Sequence, residues 1–118
     1  MNWIFIITAL LLCGCATDPW TKNQKVMYGV SLGVQAIDYG QTLDIASKPD
    51  RYKEMNPIMG KHPSRGKVTR HFVGSAILHT FIAHVLPSDY RTIWLIGSIG
   101  VSLYFVNHNY NIGLRVNF

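Results

Sequence analysis

Three long apolar segments set the pattern of this chain, and each carries its polar side chains in helical register. In the first, 26–46, Ser31, Gln35, Asp38 and Thr42 fall at i, i+4, i+7 and i+11, a spacing that gathers them on one helix face. In the second, 68–86, His71, Ser75 and His79 share a face at i, i+4 and i+8, His84 points away, and Pro87 ends the run. The third, 92–107, places Ser98 and Ser102 one turn apart, with glycines at 97 and 100. The pattern predicts three helices, each an apolar body with one polar or small stripe, and in hydrocarbon such stripes turn inward. Gly29 and Gly33 form a small-xxx-small pair that would admit a neighbouring helix. Between the first two segments, Pro49, Pro57, Gly60, Pro63 and Gly66 exclude a long helix. Met55, Ile58 and Met59, apolar within that otherwise charged loop, predict that it docks on the membrane or the helices. After Asn107 the period changes: Tyr110, Ile112, Leu114, Val116 and Phe118 alternate with polar or small residues, which is strand spacing.

Charge then gives the three segments a direction. Of eleven Lys and Arg residues in 118, seven lie in 48–70 beside two acids, Asp50 and Glu54, so this loop carries the whole net charge of +5. A basic block between two apolar spans reads as a cytoplasmic loop, able to bind anionic lipid headgroups. Nucleic acid is not an expected partner, because its footprint is a charged face spread over a soluble fold. At 48% hydrophobic and 14% charged residues the chain is far from the ~25% charged share of soluble domains. Its length allows one domain.

The first residues refine the picture. The uncharged run from Trp3 to Leu12 is shorter than the ~20 residues of a spanning helix and fits a signal-peptide core. Leu12-Cys13-Gly14-Cys15 resembles the lipobox of bacterial lipoproteins, which implies a signal peptide over 1–14, cleavage, and a lipid on Cys15. A polar tether over 15–25 comes next, with Trp20 as an interfacial anchor. The organisation expected is therefore a three-helix membrane domain over 26–107 and a tail over 108–118. Placing loop 48–70 in the cytoplasm puts the lipidated end outside, the turn 87–90 in the periplasm and the tail with Arg115 inside. The location implied is the bacterial cytoplasmic membrane rather than the outer membrane. A terminal Phe on an alternating run resembles the last strand of outer-membrane barrels, but three helical segments leave too few residues for the other strands.

Candidate chemistry centres on Asp38. A carboxylate at mid-span costs about 2.5–3.5 kcal/mol on insertion scales, so it should be paired, protonated or functional. His79 is its expected partner, with Gln35, Thr42 or Ser102 completing a hydrogen-bonded cluster and Ser31 and His71 on the same stripes. The bland alternative is a polar knot that sets helix register. A second candidate lies in the loop at Glu54, Asn56, Pro57 and Gly60, where Glu54 with His62 or His71 could form an acid/base group or could simply cap the basic loop. The histidine spacing does not make a metal site, no catalytic or phosphate-binding signature is present, and no cofactor is expected.

Asp38-x-x-Gln41-Thr42 followed by Glu54-x-Asn56-Pro57-x-x-Gly60-x-x-Pro63 resembles a pattern in small bacterial and phage membrane proteins. The resemblance implies a membrane protein and carries no activity. The fold expected is thus all-α, a three-helix transmembrane bundle behind a cleaved lipoprotein signal peptide. The expected role is a structural or interaction protein of the envelope, with a homo-oligomer or an envelope protein as possible partner. The alternatives are a holin-like pore former, or an intramembrane enzyme or transporter, which requires Asp38 and His79 to meet in one cavity.

Overall fold

The structure, a computed structural model, describes residues 18–54 and 58–118. The expected signal peptide, Cys15, Asn56 and Pro57 lie outside the described residues. Among those described, the architecture is all-helical and no strand is formed: α1 (Lys22–Ser47), α2 (Arg65–Val85) and α3 (Ser88–Asn111) run up, down and up. α1 is the central element, packing on α3 and on α2, whereas α2 and α3 touch each other least. That asymmetry opens a cleft between α2 and α3.

Every helix is longer than its apolar run predicts, and capping explains why. α1 begins at Lys22 rather than 26 because Thr21 forms a capping box with Gln24: the Gln24 N–H donates to Thr21 Oγ1 and the Thr21 N–H to Gln24 Oε1, both at 3.1 Å. The expected tether through residue 25 therefore ends at Thr21. Ser64 accepts from the Lys67 N–H and starts α2 three residues early. α3 continues past Asn107 to a Schellman ending, in which the Leu114 N–H donates to the Asn109 carbonyl and the Gly113 N–H to the Tyr110 carbonyl. Gly113 sits there at φ +101°, open to glycine at little cost. The strand-like alternation from Tyr110 onward is thus half helix and half extended tail. The tail lies along α1, its Asn117 N–H donating to the Gly40 carbonyl at 3.0 Å and its Leu114 fully buried.

The close approach on α1 is consequently at Gly40, where a Cβ would stand 2.7 Å from Val116 Cγ1. Gly29 and Gly33 have open space, so the expected small-residue contact is not made there. The loop docks in part: Met59 is buried with Leu43 and Val68 in a cluster flanked by Tyr39, Ala46 and Phe72, while Ile58 is exposed. Trp20 is not a free interfacial anchor, since the Arg91 guanidinium lies 4.8 Å over its ring and Tyr28 meets it edge-on.

Polarity is distributed against the usual rule. Gln24, Ser31, Gln41, Thr42, Asp44, His79, Arg91 and Asn109 are buried, while large apolar side chains such as Val26, Ile37, Ile77, Phe81, Ile96 and Leu103 are exposed. Among the described residues no helix is long and apolar enough to cross a membrane.

Candidate functional site

The polar stripe of each helix turns toward the α2–α3 cleft, which encloses about 620 Å³. α1 contributes Gln35, Asp38 and Thr42; α2 contributes His71, Ser75 and His79; α3 contributes Trp94, Ser98, Ser102, His108 and Asn109. Lys53 and Glu54 reach the same space from the loop. The Glu54 N–H donates to the Lys61 carbonyl at 2.8 Å, which closes the loop and holds Glu54 at the cleft. Apolar walls come from Phe72, Val101, Phe105 and Ile112.

Asp38 and His79 share this cavity without bonding each other. Asp38 Oδ1 accepts from Asn109 Nδ2 at 3.3 Å, and Thr42 Oγ1, which donates to the Asp38 main-chain carbonyl at 2.8 Å, also lies beside its carboxylate. His79, buried, stands between two serines: Ser31 Oγ is 3.1 Å from Nε2 and Ser98 Oγ is 3.4 Å from Nδ1. Hydrogen-bond supply sets its tautomer. Ser98 spends its proton on the Trp94 carbonyl, so it accepts from Nδ1–H, which leaves Nε2 to accept from Ser31, while Gln35 Nε2 donates back to Ser31 Oγ at 3.0 Å. The imidazole is also stacked between Tyr28 and Trp94, at ring-centroid distances of 6.1 and 5.6 Å. The expected Asp38–His79 pair is therefore replaced by two separate clusters, Asp38–Asn109 and Gln35–Ser31–His79–Ser98, on the walls of one cavity.

Ser102 and His71 line the cavity as their stripes imply, and His71 also packs edge-on against Phe72. Ser31 belongs to the His79 cluster, behind the cavity wall. Gly60, at φ +79° in the loop, is exposed and off the cavity lining. Asn109 and His108 fall outside the sequence prediction, because the apolar run of the third segment stops at Asn107. The signal is nonetheless in the chain: Ser98, Ser102, Phe105 and Asn109 repeat the i, i+4, i+7, i+11 spacing of α1. Gln41, beside this stripe, instead donates to the Val106 carbonyl of α3 at 3.2 Å.

A second polar assembly closes the opposite end of the bundle, and its centre is Arg91, fully buried. Its Nε donates to the Ala83 carbonyl at 2.6 Å and its terminal nitrogens to the carbonyls of His84, Leu86, Asp18 and Pro19 and to Gln24 Oε1, at 3.0–3.4 Å. Three of those carbonyls end α2, so the cation meets the negative pole of that helix. The Asp18 carboxylate accepts from the Ser88 N–H at the start of α3, the complementary pole. Sequence reasoning misses Arg91 because an Arg beside a turn is ordinarily solvated.

Among the described residues no group of three or more His, Cys, Asp or Glu side chains is placed to hold a metal ion. No protein-family model matches the chain, and no curated protein or solved structure is detectably similar to it.

Proposed function

We propose that this chain is a small membrane-embedded protein of the bacterial envelope, lipidated at Cys15, with an interaction or structural role and no chemistry of its own. One observation carries the reading: among the described residues the bundle buries as many polar side chains as apolar ones while its exterior carries many large apolar ones. The residues that lower the hydropathy of the helices are in large part those that face inward and are hydrogen-bonded to one another, as a bilayer requires and water does not. At 21–26 residues and ~1.5 Å per residue, each helix is about as long as a bilayer core is thick. The seven basic residues of 48–70 lie at one end of the apolar belt, where anionic headgroups would meet them. By the charge rule that end is cytoplasmic and the Arg91 end is periplasmic.

The test is partition and sidedness of the full chain. It should stay in the membrane pellet through an alkaline carbonate wash. A Lys61→Cys variant should resist an impermeant thiol reagent in whole cells while Asp89→Cys reacts. Release by the wash, or the opposite labelling, would sink the reading. A second reading, an intramembrane enzyme or transporter, is favoured by a specific fact: Asp38 and His79 line one cavity. It requires that Asp38→Asn abolish function at normal abundance.

A further inference from the structure

We propose that the cleft between α2 and α3 is a binding site for a compact amphiphilic cation, an organic ammonium on an apolar body, seated with its charge at the Asp38 carboxylate. Volume comes first: about 620 Å³ lies within the range of small-molecule pockets, ~300–1,000 Å³. Charge is the second argument. Two carboxylates, Asp38 and Glu54, look into this space against one ammonium, that of Lys53, beside apolar walls of Phe72, Val101, Phe105 and Ile112. Among the described residues Asp38 has no Lys or Arg at ion-pair distance, and the donor that its carboxylate meets from a neighbouring helix is the neutral amide of Asn109. A carboxylate half-buried against apolar walls with a neutral donor is short of partners, and an ammonium supplies both charge and hydrogen bonds. An anion would meet two carboxylates against that single ammonium. The Gln35, Ser31, His79 and Ser98 side chains already bonded to each other keep that polar wall in place, and Asn109 holds the Asp38 carboxylate, so the site is preorganised.

Three probes of one shape decide the matter: cyclohexylmethylamine, cyclohexylmethanol and cyclohexanecarboxylate, titrated calorimetrically into the full chain. The amine should bind at least ~tenfold more tightly than the alcohol, the scale of one hydrogen bond to a charged group, and the carboxylate should not bind. Asp38→Asn, which keeps the contact to Asn109, should bring the amine down to the level of the alcohol and leave the alcohol unchanged. Should that variant fail to fold, the order of the three probes on the unaltered protein still decides. An alcohol or carboxylate equal to the amine, an amine preference that survives Asp38→Asn, or no binding by any probe overturns the proposal. The titration runs in detergent or in plain buffer, whichever disperses the chain, so it fails or succeeds independently of the membrane reading.

Discussion

Arg91 is the residue on which one end of the molecule is assembled. Its guanidinium serves six oxygen acceptors from three segments and has no carboxylate partner among them. Replacing it with Met would strand the final carbonyls of α2 in a buried place; we expect a loss of about 2–4 kcal/mol in unfolding free energy. Arg91→Lys should recover only a minor part, because an ammonium offers three donors from a point and cannot span the same fork. Thermal or denaturant unfolding of the two variants checks both, and a Lys variant as stable as the original would refute the account. Sequence reading also stops at this scale. The stripes of Asp38 and His79 are legible from spacing alone, since one helix suffices to define a face. Their partners are not, because the axial offset between helices decides whether Asp38 meets His79 or Asn109. That offset is fixed by tertiary contacts such as the Arg91 cage.

At the level of elements, all three helices are visible as apolar runs, and each boundary is displaced for one reason. Apolar runs mark the portion that packs, whereas caps mark the portion that is helical, and here Thr21, Ser64 and Gly113 lie several residues outside the runs. The tail is the clearest case: alternation at Tyr110–Phe118 imitates a strand, yet Gly113 ends a helix in the middle of it. Residues 114–118 are strapped to α1 over Gly40, with Val116 and Phe118 covering the position a side chain would occupy. Two effects compete in Gly40→Ala, a propensity gain of about 1 kcal/mol and the displacement of Val116, whose β-branched side chain is stiff and stands 2.7 Å from the new Cβ, and the variant should gain less than the propensity alone gives. Gly40→Leu has no such balance and should detach residues 114–118, seen as loss of amide-exchange protection at Asn117 and carboxypeptidase trimming. Undiminished protection in the Leu variant would show that the strap is held elsewhere, for example by the hydrogen bond from Arg65 to the Asn117 carbonyl.

For the molecule as a whole, the decisive property is which solvent its exterior is built for, and one substitution separates the two answers by sign. Ile77 lies on α2 with 66% of its surface exposed. If the surroundings are water, Ile77→Glu exchanges an exposed apolar group for a charged one, an effect within about ±0.5 kcal/mol on stability and favourable to solubility. If they are hydrocarbon, the new carboxylate near mid-helix costs about 2.5–3.5 kcal/mol and has no inward-facing partner. The expected result is therefore a sharp fall of Ile77→Glu in the membrane fraction, with Lys67→Glu, exposed at the basic end of the same helix, far milder. Buried polarity sharpens the contrast. In water, Ser31 and His79 would sit in the interior at a cost that apolar packing elsewhere must offset, and among the described residues the buried apolar side chains are no more numerous than the buried polar ones. In a bilayer the same polar interior holds the helices together, since hydrogen bonds between helices have no competitor in lipid. An Ile77→Glu protein that stays in the membrane, or one that gains stability in plain buffer, would reverse this assignment.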